Sequence, residues 1–177
     1  NYQYRTYHRH RVLILRFVSQ EPMTAQIQPS GPALKRGVYD TFCIDSYYVF
    51  SMGKFVDFGT PYAYFPMFIY GRADDVRFKQ QSDLNRDDVT FVGIDGDLSV
   101  TLVPYLFPKA KVMTLPATSD AAALPMTIGT GKADAVIMDP GLVKNYNDHN
   151  ARKLKVLGSG DPVAVYPVGF SVAKGDD

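Results

Sequence analysis

Residues 89–139, VTFVGIDGDLSVTLVPYLFPKAKVMTLPATSDAAALPMTIGTGKADAVIMD, contain the pattern that decides the fold. Three short apolar runs are typical of buried strands: 89–94, 111–115 and 133–138. The segments between them, 98–107 and 119–128, are predicted helices. Strands and helices in alternation predict an α/β domain, in which helices cover the faces of a mostly parallel sheet.

The pattern continues on both sides of this stretch. Downstream, we predict a helix at 140–147 and strands at 154–157 and 165–173. Upstream, we predict strands at 12–18, 39–44 and 67–70, with a short helix or turn at 30–36. Residues that favour helix starts accompany the three helices. They are Asp97 or Ser99, Ser119 with Asp120, and Asp139 ahead of Pro140.

Composition excludes several classes of protein. The chain has 177 residues, 46% hydrophobic and 21% charged, with a net charge of +1. These values fit an ordinary globular protein and not a nucleic-acid binder, which needs a strong positive field. Cys43 is the one cysteine, so we expect a buried thiol and no internal disulfide. No apolar run approaches the roughly 20 residues of a membrane span.

Three local motifs fail as metal or phosphate sites. The stretch Gly129–Lys132 lacks the other residues of a phosphate loop, because Met126 and Ala133 occupy those positions. Asp95–Ser99 begins like a calcium loop, but the turn glycine and closing glutamate are missing. His8 and His10 near the start are more typical of an exposed strand or terminus. We therefore expect no cofactor and no metal.

Four further motifs occur in a fixed order along the chain. They are LKRGVYD at 34–40, VDFGTPY at 56–62, GKADAVIMD at 131–139 and YPVGFSVAKGD at 166–176. Together they resemble the bacterial family 3 extracellular solute-binding proteins, the periplasmic amino-acid-binding type. The resemblance covers roughly residues 30–176.

This resemblance implies a type II periplasmic-binding-protein fold, in which two α/β lobes are joined by hinge strands and hold the ligand in the cleft between them. We expect part of lobe 1 at 1–62, lobe 2 at 63–167 and the return to lobe 1 at 168–177. The family has further elements in lobe 1, so we expect this lobe to be incomplete. Asn1 begins the sequence, which we interpret as the removal of a signal peptide or as a fragment, completed by a partner chain.

The resemblance also identifies candidate ligand-binding residues. In lobe 1, Asp45 and Tyr47 align with small polar positions, and Met52 replaces the arginine that holds the ligand carboxylate. Lys54 could substitute only as a point charge. In lobe 2, Asp97 and Ser99 align with the residues at the helix start that binds an anion, and Asp139 aligns with the carboxylate that meets a ligand ammonium.

Compared with the family pattern, these positions suggest a cleft in which the arginine is absent and aspartates have been added. Asp45, Asp97 and Asp139 would form an acidic site, with aromatic faces from tyrosines, and such a site suits a cationic ligand. The tyrosines are Tyr47, Tyr48, Tyr62 and Tyr64. Two simpler interpretations stay open: Asp97 and Asp139 are helix caps, and the tyrosines pack the hinge.

The leading functional prediction is non-enzymatic binding of a small polar solute for ABC-type uptake or sensing. Location would be periplasmic or extracytoplasmic, with a transporter permease or membrane receptor as partner, without nucleic acid and without a membrane span. One alternative is an enzyme on the same scaffold, dehydratase-like or transglycosylase-associated, with Asp45 and Asp97 as the acid or base candidates. Another is a sensory or interaction module that no longer binds a ligand.

Overall fold

The computed structural model describes residues 5–8, 11–14, 34, 36, 41–47 and 52–175. Its strands are β1 (Arg5–His8), β2 (Arg11–Ile14), β3 (Thr41–Tyr47), β4 (Val56–Phe58), β5 (Ala63–Arg72), β6 (Thr90–Ile94), β7 (Lys111–Leu115), β8 (Ala135–Met138), β9 (Leu154–Val156) and β10 (Ala164–Ala173). Its helices are α1 (Leu98–Leu106), α2 (Ala123–Gly129) and α3 (Pro140–His149), with short 3-10 turns at Met52–Lys54 and Gln81–Leu84. The chain divides into two compact units: unit 1 is Asn1–Tyr64 with Tyr166–Asp177, and unit 2 is Phe65–Val165.

Unit 1 is built from antiparallel strands. β1 pairs with β2, and β10 pairs with both β3 and β4. The strand predicted at 12–18 is found as β2, and its residues 15–18 lie outside the described part. The start predicted for the next strand, at Tyr39, also lies outside it. Leu34 is helical and buried, and it packs with Val56, so the turn predicted at 30–36 contributes to this unit's core.

Unit 2 is a five-stranded sheet in the order β9-β5-β8-β6-β7. β6 lies between β7 and β8 and is parallel to both. β5 runs antiparallel to β8 and β9. The alternation of strands and helices therefore predicted the parallel centre correctly, and β5 enters the same sheet in the opposite direction.

Both faces of the unit 2 sheet are buried at its centre, in β6 and β8, whereas the edge strand β7 has no buried residue. Phe91 points to one face, where its ring stacks on Phe107 with centroids 5.2 Å apart. Val92 points to the other face, towards Ile128 and Val143 of α2 and α3. Burial on both faces explains why β6 and β8 appear as continuous apolar runs, without the alternation of a half-exposed sheet.

Helix α2 differs from its prediction. It begins at Ala123 and not at Ser119, because the residues before it form turns. The Ser119 amide donates to the Pro116 carbonyl, and the Asp120 carboxylate accepts the Ala122 amide. Polar side chains that can cap a helix can equally stabilise a turn, so the predicted caps were assigned to the wrong element.

Helix α3 begins as predicted. Pro140 occupies its first turn, and the Asp139 carboxylate caps it from a position of extended backbone. The helix runs to His149, two residues beyond the predicted end at Asn147. Asn147 is still helical, and its side-chain amide bonds both the amide and the carbonyl of Leu154 at the start of β9.

Candidate functional site

The strands β6, β7 and β8 end close together at one edge of the unit 2 sheet, the carboxyl-end edge. Ile94 lies opposite Leu115, and the parallel register with β8 continues to the same level. Asp95 and Asp139 are the residues that directly follow β6 and β8. In α/β proteins with parallel strands, ligands bind outside the carboxyl ends of the strands. This edge is therefore the place in unit 2 to look for a site.

The loops at the carboxyl-end edge are acidic. They comprise residues 95–97, 116–122 and 139, and they contain no lysine or arginine. Their four aspartates are Asp95, Asp97, Asp120 and Asp139. Asp95 and Asp120 are exposed, whereas Asp97 and Asp139 are half-buried. The edge thus presents four carboxylates without a basic residue in the same loops.

Asp139 is held in place as the cap of α3. Its Oδ1 accepts hydrogen bonds from the amides of Gly141 at 2.8 Å and Leu142 at 3.1 Å. Among the described residues, Oδ2 takes no hydrogen bond, so one carboxylate oxygen is left for another partner. Burial, and in second place the charge of Asp139, raise the pKa of the Tyr70 phenol. The interpretation of Asp139 as a cap is confirmed, and the cap fixes the carboxylate at the edge.

Asp97 and Ser99 come together at the start of α1. The Ser99 hydroxyl donates to Asp97 Oδ2 at 3.1 Å, and Ser99 is only 3% exposed. Gly93 makes room for this hydroxyl, since a Cβ there would lie 2.7 Å from Ser99 Oγ. Gly96 supplies the turn before the helix with φ of 80°, a conformation that glycine adopts without strain. The Ser99 hydroxyl is therefore engaged by a carboxylate of the chain itself.

The predicted residues of the first lobe lie in unit 1. Asp45 and Tyr47 belong to β3, where Tyr47 lies opposite Val168. Met52 opens the short 3-10 turn before β4. The structure gives the backbone of these three residues and leaves their side chains undescribed, and Tyr48 lies outside the described residues. Their part in binding stays a prediction.

Tyr62 is the fourth predicted residue in unit 1, and its side chain is described. It is 51% exposed, and its ring contacts that of Phe170 with centroids 5.3 Å apart. Phe170 and the buried Tyr70 were not among the sequence predictions. Phe170 is exposed between the buried Gly169 and Ser171, as alternation along a strand requires, and the strand predicted at 165–173 did not assign it to a face.

Two further observations concern the described part of the chain. None of its helices is long and apolar enough to cross a membrane. Within the same residues, no group of three or more histidine, cysteine, aspartate or glutamate side chains is arranged to hold a metal ion.

Comparison with solved structures finds proteins of one fold. An ancestral amino-acid-binding protein, described as a precursor of cyclohexadienyl dehydratase, is 27% identical with a TM-score of 0.71 over 88% of this chain. A binding component of an ABC transporter from Wolinella succinogenes, complexed with lysine, is 22% identical with a TM-score of 0.72 over 86%. The periplasmic VFT2 domain of BvgS from Bordetella pertussis is 20% identical with a TM-score of 0.69 over 84%.

The chain spans 64%, 64% and 61% of the lengths of these three structures. No protein-family model matches the sequence, and no curated protein sequence matches it. The ancestral protein is also described as a cationic amino acid solute-binding protein, in a structure that gives a TM-score of 0.60. The chain is α/β and has the type II periplasmic-binding-protein fold of the family 3 solute-binding proteins that its motifs resemble.

Proposed function

We propose that this protein binds a small, positively charged polar solute and releases it unchanged. The observation that carries the proposal is the carboxyl-end edge of unit 2, where four aspartates occur without a lysine or arginine in their loops. A cation gains Coulomb energy beside such a group of charges, and the gain is larger where carboxylates are half-buried, as Asp97 and Asp139 are. Asp139 is the strongest candidate for direct contact, because its capping bonds fix its position and use only Oδ1.

The start of α1 supports a ligand without a carboxylate at this position. A helix start ordinarily favours an anion, because its backbone N–H groups and dipole point outwards. Here Asp97 brings a negative charge to that place, and the Ser99 hydroxyl donates to it. An external carboxylate would meet the charge of Asp97 and would have to compete for this donor. An amine is therefore favoured over an acidic amino acid.

The proposed role is capture of the solute outside the cytoplasm, for delivery to an ABC-type permease or to a membrane receptor. Similar structures include a lysine complex and a cationic amino acid binder, which agree with the sign of the proposed ligand charge. Asp45, Tyr47, Met52 and Tyr62 remain the ligand-binding residues that the family resemblance proposes in unit 1. Met52, in place of the family's arginine, removes the residue that would demand a carboxylate.

A thermal-shift titration tests the proposal. We expect lysine, arginine or alkylamines to raise the melting temperature, since a ligand that binds only the folded state stabilises it by mass action. Glutamate and neutral sugars should leave it unchanged. Asp139→Asn keeps a good helix cap but removes the charge, so the shift should fall. Asp87→Asn removes the same charge from an exposed position at the opposite edge, and it should retain the full shift.

The outcomes separate this proposal from its alternatives. A larger shift with glutamate than with lysine would contradict the cationic ligand. No shift with any compound would favour an interaction module, which the loss of arginine at Met52 also supports. Chemical conversion of a stabilising compound, followed by mass spectrometry, would favour an enzyme; one similar structure is described as a precursor of a dehydratase.

A further inference from the structure

Most basic residues of unit 2 lie at the edge of its sheet opposite the carboxyl-end edge. This amino-end edge comprises residues 72–77, 85–89, 107–111, 130–134 and 150–155, where β5 ends and the other four strands begin. It carries nine lysines and arginines against five aspartates, a surplus of four positive charges. The loops of the carboxyl-end edge carry four aspartates and no basic residue. The two edges of unit 2 are therefore oppositely charged.

The salt bridges at the amino-end edge use its arginines and leave its lysines. Arg72, Arg77 and Arg86 are paired with aspartates of the same edge. Within the described residues, the other six basic side chains of this edge form no salt bridge, and we call them the basic row: Lys109, Lys111, Lys132, Arg152, Lys153 and Lys155. All of them except Lys155 are exposed. The surplus charge thus resides mainly on side chains that face solvent.

The basic row extends across the whole width of the sheet. The strand order is β9-β5-β8-β6-β7, and Lys155 lies in β9, Lys132 shortly before β8 and Lys111 at the start of β7. Neighbouring strands lie about 4.8 Å apart, so the four spacings between the outer strands span about 19 Å. Side chains so far apart cannot converge on one small anion, whereas they can contact an extended anionic surface together.

Two exposed hydrophobic side chains adjoin the basic row. Tyr105, in the last turn of α1, is 85% exposed, and Val76, in the loop after β5, is 77% exposed. These are the highest values among the large hydrophobic side chains of the described residues. Phe107 and Phe78, two positions after each, are buried in the same core cluster. Both segments are therefore anchored on the same face of the sheet, while Tyr105 and Val76 extend into solvent.

We propose that the amino-end edge of unit 2 docks on a membrane surface that contains anionic phospholipids. Each lysine or arginine close to such a surface raises partitioning about fivefold. Tyrosine is enriched at the level of the lipid headgroups, where Tyr105 and Val76 would remove apolar surface from water. The aspartates of the carboxyl-end edge would lie on the far side of the unit, away from the anionic lipid. This docking does not depend on which solute the protein binds.

An acidic protein is a poorer match for the same edge. Lysine is depleted in protein–protein interfaces, because its mobile and strongly hydrated side chain is costly to bury there. Four of the six residues of the basic row are lysines. At a membrane surface a lysine keeps its ammonium hydrated and still gains from the negative potential of the lipid headgroups.

Co-sedimentation with lipid vesicles tests the proposal. We expect the wild-type protein to bind vesicles of phosphatidylglycerol and phosphatidylcholine in equal amounts, and not vesicles of phosphatidylcholine alone. The bound fraction should fall as sodium chloride is added, because salt screens the attraction. Lys132→Glu reverses one exposed charge in the middle of the basic row and should weaken binding about 10-fold or more. Lys144→Glu reverses the same charge at an exposed position of α3, and it should bind like wild type.

Tyr105→Ser tests the hydrophobic contact separately, since it leaves the net charge unchanged. It should weaken binding to the anionic vesicles about 3-fold, because less apolar surface leaves water. Tyr105, Lys132 and Lys144 are all exposed, so thermal denaturation of the variants should match wild type. Equal binding to both kinds of vesicle, or equal losses for Lys132→Glu and Lys144→Glu, would overturn the proposal. Soluble polyglutamate bound as tightly as the anionic vesicles, with Tyr105→Ser unchanged, would also overturn it and assign the edge to an acidic protein.

Discussion

The two edges of the unit 2 sheet differ in how acidic and basic residues are distributed. At the amino-end edge, Asp75 and Asp134 are paired with Arg72 and Arg77. At the carboxyl-end edge, the loops carry aspartates and no basic residue. Arg77 bonds Asp75 at 2.6 Å and Asp134 at 2.5 Å, and the Arg72 guanidinium also donates to the Ala133 carbonyl at 3.0 Å.

This difference separates the carboxylates that take part in salt bridges across the sheet from those assigned to the ligand in the proposed function. The Asp134 carboxylate also accepts the Thr90 amide at 2.9 Å, so one side chain joins the starts of β6 and β8 to the loop after β5. Among the described residues, the Asp139 carboxylate accepts hydrogen bonds only from its own helix, through Oδ1. We infer that the amino-end edge holds the sheet together, whereas the carboxyl-end edge keeps its acids in place for binding.

The largest effect should come from Asp134→Ala. It removes the acceptor of the Thr90 amide and leaves Arg72 and Arg77 without one of their carboxylates, so we expect a loss of about 2–3 kcal/mol in the free energy of unfolding. Urea denaturation followed by circular dichroism measures this loss. Asp134→Asn keeps an acceptor for the Thr90 amide, so its loss in the free energy of unfolding should be smaller than that of Asp134→Ala. A cost for Asp134→Ala no greater than for Asp139→Ala would contradict the comparison of the two edges.

Asp75→Asn should cause a smaller loss in the free energy of unfolding, and this loss should depend on pH. The hydrogen bonds from the Arg77 guanidinium hold the pKa of Asp75 below its ordinary value of 3.8. A lowered pKa in the folded state means that the carboxylate stabilises the fold above pH 3.8, and that this contribution is lost as the pH falls through the folded-state value. The stability difference between wild type and variant should therefore be largest near neutral pH and shrink below pH 3.8. A difference that stays constant from pH 7 to pH 3 would argue against this pairing.

At the carboxyl-end edge, Asp139 allows stability and binding to be separated. Asp139→Ala removes the cap of α3 and should lower the free energy of unfolding by about 1 kcal/mol. Asp139→Asn retains a capping side chain and should lower it by only about a few tenths of a kcal/mol. Both variants should lose amine-dependent stabilisation to a similar extent. Thermal denaturation with and without lysine measures the two quantities together. Retention of the full lysine effect in Asp139→Asn would show that this carboxylate serves the helix alone.

The sequence predicted the sheet of unit 2 better than it predicted the charges around it. Continuous apolar runs identified β6 and β8, because burial on both faces leaves a strong local signal. Asp139 was found as a cap because the Asp-Pro pair that starts α3 is also local. The Arg77–Asp134 bond joins residues far apart in sequence, and nothing near either residue indicates its partner. The exposure of Phe170, between the buried Gly169 and Ser171, was not predicted either, because the apolar run of β10 does not show which face is covered.

The smallest effect should come from Asp88→Asn. This variant tests whether an ion pair stabilises the fold merely because it lies near the amino-end edge. Arg86 and Asp88 form an ion pair at 2.5 Å just before β6, but their side chains are 50% and 51% exposed. Solvent screens such a pair, and holding two mobile side chains together costs entropy that offsets the attraction. We expect the midpoint of urea denaturation to be the same as in wild type. A clear loss would mean that the whole basic and acidic surface at this edge acts as one network, and stabilisation could then not be assigned to the half-buried carboxylates of Asp75 and Asp134.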